Sequence, residues 1–159
     1  QWGPFAAMAF FYLTFVGGCS GSTSGGMKIF RFQVAIKMLL SQLRFLIHTH
    51  GVFVSRYNGA PLSDEISRGV VAFSFFFFLT IAGLALALAM LGLDLVTALT
   101  GAATAVANVG PGLGDIIGPA GNFSTLPDAA KWLLCVGMVM GRLEILTVLV
   151  LLTPMFWRK

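Results

Sequence analysis

Charge is what this chain lacks most. Only 10% of its 159 residues are Asp, Glu, Lys or Arg, against about 25% in ordinary soluble domains. Beside that scarcity stand 57% apolar residues and a mean hydropathy of +0.90. A soluble domain could not hide so much apolar surface, and 15 Phe deepen the excess. Disorder is excluded for the same reason. Two cysteines, Cys19 and Cys135, are too few for a disulfide-stapled module. With no His or acid beside them they read as packing residues. Ten basic residues give a net charge of +4, but they are scattered and form no phosphate-tracking stripe, which excludes nucleic acid as a partner. The chain opens on Gln1-Trp2-Gly3-Pro4 without Met, basic leader or cleavage site, so no signal peptide is expected and the chain reads as part of a longer polypeptide. What remains is an all-α integral membrane protein.

Crossing roughly 30 Å of hydrocarbon takes about 20 apolar residues. Three stretches answer to this. Pro4 to Val16 breaks into a Gly/Ser-rich run, Val70 to Leu93 is uninterrupted, and Ala129 to Trp157 is interrupted by Arg142 and Glu144. Lys28, Arg31, Lys37, Arg44, Arg56 and Arg68 lie between the first and second stretches, and Arg158 and Lys159 follow the third. Asp94, Asp115 and Asp128 lie between the second and third. Basic residues collect on the inner side, so residues 27–66 and the C-terminus are expected in the cytoplasm and 94–128 outside.

Within the inner segment, Ile29, Phe32, Ile36, Leu39, Leu43 and Leu46 recur at helical spacing among basic residues. This pattern predicts an amphipathic helix at the membrane surface or against a partner. Val52 to Gly59 alternates up to an Asn-Gly pair, which predicts a short hairpin.

Residues 95–107 would make a helix of about 20 Å, too short to cross. Asn108-Val109-Gly110-Pro111-Gly112-Leu113-Gly114 follows, a run no helix tolerates. The residues alone leave two readings open. One is an interfacial loop after a surface helix. The other is a re-entrant hairpin, helix inward and extended chain back, at membrane depth where irregular backbone must line protein or water. In the hairpin, the helix C-terminus and the exposed carbonyls would both favour a cation. Asp94, Asp115 and Asp128 at the outer mouth would concentrate it.

A span, a half-length helix, an Asn-Val-Gly-Pro-Gly loop and a second span resemble the membrane–pore–membrane repeat of potassium channels. Gly17 to Lys28 (GGCSGSTSGGMK) and Gly141-Arg142-Leu143-Glu144-Ile145 are similar to the Trk/Ktr/HKT superfamily of potassium transporters, nearest the bacterial TrkH membrane subunits. The resemblance covers essentially the whole chain. It implies four such repeats around one pore. Residues 1–26 would then end the third repeat, 27–66 connect, and 67–157 form the fourth, making this the C-terminal part. It further implies a selectivity filter of Asn108, Val109, Gly110, Pro111 and Gly112, with potassium, the transported ion, held at Asn108, Val109 and Gly110. The filter departs from the channel pattern in Asn108 for Thr and Pro111 for Tyr.

By the same resemblance, Gly17, Gly18, Cys19, Ser20, Gly21, Ser22, Thr23, Ser24, Gly25 and Gly26 form an intramembrane loop that gates the path. Lys28 caps the loop and Arg142 faces the pore as an electrostatic barrier. A homodimer, a cytoplasmic nucleotide-binding regulatory subunit of TrkA type docked on residues 28–60, and a bacterial inner-membrane location are likewise implied.

From the residues alone, a helix ending at Gly17 with a cytoplasmic turn would also explain the glycine run. Arg142 could instead bond backbone carbonyls of another helix, and Lys28 could simply snorkel to the interface. A central arginine costs at least about 2.5–3.5 kcal/mol, so it must face a cavity or a partner. Glu144, two positions on, lies on the opposite face and cannot pair with it along the helix. Two other classes compete. Gly18-Cys19-Ser20-Gly21 matches an intramembrane serine protease element, but the only histidines, His48 and His50, lie in the inner segment. A non-conducting scaffold subunit would explain the spans and leave the glycine loop and Arg142 without a purpose. A phosphate loop fails, since Met27 stands where its Lys would be.

Overall fold

The computed structural model describes residues 3–22, 24–48, 56, 57, 59–143, 147, 150 and 157. Helix α1 (Pro4–Leu13) opens on a proline in its first turn, where no amide partner is needed. Helix α2 (Ile29–Ile47) is followed by a hairpin of β1 (Arg56–Tyr57) and β2 (Ala60–Pro61), paired Arg56 to Pro61 and Tyr57 to Ala60. Then come α3 (Asp64–Met90), α4 (Leu95–Ala107), the single turn α5 (Gly114–Ile117), a 3-10 turn (Phe123–Thr125) and α6 (Asp128–Arg142).

Among the described residues only α3 is long and apolar enough to cross a membrane. Its 27 residues extend about 40 Å at 1.5 Å each. It starts at Asp64 rather than the expected Val70, because the Ser63 hydroxyl accepts the Ile66 amide at 3.3 Å and Asp64 and Glu65 complement the first turn. Helix α1, with 10 residues, falls short of a span. The third stretch, expected to run to Trp157 with an interruption at Arg142 and Glu144, forms α6 as far as Arg142, where Leu143 turns to φ −82°, ψ 6°; Thr147, Val150 and Trp157 beyond it are helical. Most of the remainder, Glu144 and Ile145 included, lies outside the described residues.

The core forms where α3 and α6 enclose α4. Phe73, Phe77 and Ile81 from α3 meet Ala102 and Val106 from α4, with Leu134 from α6. Every residue of α4 from Thr100 to Ala107 is buried. Its small side chains let neighbouring backbones approach closely, the usual basis of helix packing in membranes. The threonines satisfy their hydroxyls within the helix, Thr100 donating to the Val96 carbonyl at 2.7 Å and Thr104 to that of Thr100 at 2.9 Å.

Most of the apolar stripe predicted on α2 faces away from this core: Ile29, Ile36, Leu39, Leu43 and Leu46 are exposed, Phe32 packs against the core, and only Val34 is fully buried. The opposite side holds the helix to α3 and the hairpin. The Arg31 guanidinium lies 3.6 Å from the Phe73 ring centroid, a cation–π arrangement. Lys37 Nζ donates to the Arg56 carbonyl at 2.7 Å. The predicted turn is present, with Gly59 at φ +85°, while residues 51–55 and 58 lie outside the described residues. Cys19 and Cys135, read as packing residues, are free and exposed.

Candidate functional site

Helix α4 starts on Asp94, whose carboxylate accepts the Thr97 amide at 3.0 Å. Hydrogen bonding from the Thr97 side chain and amide holds the Asp94 carboxyl below the usual carboxylate range. The helix ends on Asn108, in the left-handed conformation at φ 56°, ψ 41°. There the Asn108 amide bonds the Ala105 carbonyl and the Val109 amide bonds that of Thr104, both at 3.0 Å. This pairing is the Schellman C-cap, with Asn in the position glycine usually takes.

The chain then doubles back. Leu113, five residues on, donates its amide to Thr100 Oγ1 at 3.1 Å, about 10 Å up the helix from Ala107 at 1.5 Å per residue. Gly112 donates to the Ile117 carbonyl at 2.7 Å. A Cβ at Gly112 would stand 2.5 Å from Ile117 Cδ1 and 3.0 Å from Thr100 Oγ1, so only glycine fits. The backbone is therefore a helix followed by irregular chain that turns back along it. Among the described residues nothing donates a hydrogen bond to the carbonyls of Asn108, Val109, Gly110, Pro111 or Gly112. Asn108, Val109 and Pro111 are exposed.

The glycine run from Gly17 to Gly26 is closed at its base by parallel pairing. Met27 donates to the Phe15 carbonyl at 3.1 Å, Gly17 to that of Met27 at 2.9 Å, and Ile29 to that of Gly18 at 3.2 Å. Gly25, Gly26 and Met27 are buried at the base, and Gly26 takes φ +76°. Cys19, Ser20, Gly21 and Ser24 are exposed at the tip, and Thr23 lies outside the described residues. Lys28 Nζ donates across the loop to the Ser20 carbonyl at 3.3 Å.

These pieces meet at Asn108. A Cβ on Gly25 would lie 2.6 Å from the Ala107 carbonyl oxygen and 3.0 Å from Asn108 Nδ2. A Cβ on Gly141 would lie 1.8 Å from the Val106 carbonyl oxygen and 2.9 Å from the same nitrogen. Asn108 Nδ2 itself donates to the Met138 carbonyl of α6 at 3.0 Å. Arg142, next to Gly141, is exposed, and its side chain forms no hydrogen bond or ion pair among the described residues. Asp94 and Asp115 share an open hollow of about 700 Å³, whereas Asp128 pairs with Lys131 at 3.0 Å. Among the described residues the outer acidic trio thus reduces to two carboxylates without an ion-pair partner, Asp94 and Asp115. Thr100, Met138 and Gly141 were not foreseen as contributors. Only Asp94, followed three residues on by Thr97, carried a readable signal, that of a helix cap.

A family model described as TrkH, cation transport protein, matches residues 1–159. The chain is 81% identical over 158 residues to the Trk system potassium uptake protein TrkI of Halomonas elongata, covering 99% of this chain and 32% of that protein. To the Trk system potassium uptake protein TrkH of Vibrio parahaemolyticus it is 37% identical over 159 residues, covering 100% of this chain and 32% of that protein. Its fold matches the crystal structure of the potassium transporter TrkH from Vibrio parahaemolyticus with a TM-score of 0.89 at 36% identity, covering 99% of this chain and 33% of that one. The chain spans about a third of the length of these relatives. Fold and kinship define a helical membrane protein of the transport class, not an enzyme, and neither the protease nor the scaffold reading is supported. The chain belongs to the TrkH family of cation transport proteins.

Proposed function

We propose that this chain supplies part of a potassium uptake pathway in a bacterial inner membrane, with the Asn108–Gly112 carbonyls as one quarter of a selectivity filter. The observation that carries the reading is the run of carbonyls, at the foot of the buried α4, that accept no hydrogen bond from any described residue. Carbonyl groups at membrane depth need a partner, and a partly dehydrated cation is a suitable one. Gly110 adopts φ +114° with no atom within 4 Å of a would-be Cβ, so glycine is required there by conformation rather than by crowding.

Residues 67–157 act as one membrane–pore–membrane repeat, residues 1–26 as the end of the preceding one, and residues 27–66 as a cytoplasmic connector. The Gly17–Gly26 loop, latched by Lys28, gates the path beneath the filter, and the Arg142 charge raises the barrier to cations. The exposed apolar stripe and basic residues of α2, with the hairpin, form the docking side for a nucleotide-binding regulatory subunit of TrkA type. The full-length protein works as a homodimer.

Potassium and sodium fluxes into liposomes holding the full-length protein test this. Arg142→Ala is expected to raise cation flux, and Gly110→Ser to alter the preference between the two ions. Absence of flux in every variant, with folded protein and the regulatory subunit and nucleotide supplied, would overturn the reading.

A further inference from the structure

The Asn108 side chain is not needed to cap α4, since glycine fills a left-handed C-cap at least as well. Something else must account for an amide at this point. Its Nδ2 spans from the end of α4 to the Met138 carbonyl, one turn before Arg142 on α6. The same nitrogen sits where neither Gly25 nor Gly141 could carry a methyl group without approaching it to 3.0 or 2.9 Å. Three segments distant in sequence thus meet around one carboxamide: the base of the Gly17–Gly26 loop, the first residue after α4, and the end of the Arg142 helix.

We propose that Asn108 is a positioning residue for ion selection, whose carboxamide registers the Asn108–Gly112 loop against α6 and the glycine loop. The inference rests on the filter reading given above. A carbonyl site discriminates between two monovalent ions by the spacing and stiffness of its oxygens. Among the described residues no donor holds the loop's carbonyls, so its register comes from its ends. At the far end Leu113 is pinned to Thr100, and at the near end Asn108 is pinned to Met138. Removing the near strut leaves the first carbonyls free to shift, while the Schellman bonds, made by backbone amides, keep the helix end intact.

The test uses the full-length protein in liposomes, comparing wild type, Asn108→Gly and Gly110→Ser for potassium and sodium flux. Asn108→Gly keeps the left-handed backbone and deletes the strut. It is expected to lower the potassium-to-sodium flux ratio about five- to tenfold, the scale set by losing one such hydrogen bond. Oligomeric state should stay unchanged and the thermal midpoint should fall only by the scale of one hydrogen bond, while the changed flux ratio is the readout that a merely structural role would not move. An unchanged ratio in Asn108→Gly beside an altered ratio in Gly110→Ser overturns the positioning role and leaves the filter reading standing. An unchanged ratio in both overturns the filter reading itself. Should Asn108→Gly fail to fold, Asn108→Asp decides: it keeps the shape and removes the donor. Its added charge attracts both ions alike, so a ratio equal to wild type refutes the proposal and a lowered one supports it.

Discussion

Replacing Gly141 by alanine adds a single methyl group, yet it should disrupt the protein more than most larger changes. The new Cβ would stand 1.8 Å from the Val106 carbonyl oxygen and 2.7 Å from its carbon. Ordinary carbon–oxygen contacts begin at about 3.3 Å, so α6 must withdraw from α4 by roughly 1.5 Å. Neither atom it meets belongs to a side chain that could rotate away. Overpacking of this kind costs about 1–3 kcal/mol or more, and the withdrawal also breaks the bond from Asn108 to Met138. Gly69→Ala and Gly83→Ala on α3 provide the comparison, because nothing lies within 4 Å of a Cβ at either site. There alanine should be neutral or favourable, by up to about 1 kcal/mol in helix propensity. The assay pairs thermal midpoints of the purified full-length protein with potassium-limited growth of a strain that depends on it. Gly141→Ala should lower both, and the α3 variants neither. A Gly141→Ala protein as stable and active as Gly83→Ala would refute the close approach of α6 to the foot of α4.

Two further outcomes follow from the polar contacts. Thr100→Val keeps the buried shape but strips the Leu113 amide of its acceptor, and should cost about 1–3 kcal/mol in thermal denaturation, with Thr100→Ser restoring most of it. Asp94 has its folded-state pKa lowered by Thr97, so its cap contributes fully above the ordinary carboxylate value of about 3.9 and fades as pH falls through the lower folded value. Thermal midpoints measured between about pH 3 and 7 should show an acid-side loss in wild type that Asp94→Asn, which retains an acceptor but cannot titrate, does not share.

Helix α4 was legible to the residue, because its small apolar run is bounded by Asp94 and by glycines. The start of α3 was missed because polar residues look like a linker until Ser63 is seen as a cap and Asp64 and Glu65 as its charged first turn. The stripe on α2 was legible as periodicity but not as orientation: the face that packs inward carries Arg31 and Lys37, whose attachments to Phe73 and to the Arg56 carbonyl depend on tertiary placement. In the site, the glycine-rich loops could be located, but their purpose could not be separated from flexibility. Gly25 and Gly141 are needed for close approach to Asn108, a relation between residues more than 30 positions apart in each direction that no local pattern encodes.

The parallel clasp joining Phe15–Gly18 to Met27–Ile29 has a consequence in time. It anchors both ends of the glycine loop to each other, so the tip around Ser20 can rearrange while α1 and α2 keep their places. Loop motions run on nanoseconds to microseconds, whereas sliding or tilting whole helices takes microseconds to milliseconds. A passage obstructed by this tip would be interrupted and restored faster than the surrounding helices could move, and its conductance would carry the fast noise of a loop rather than the slow steps of a changing bundle.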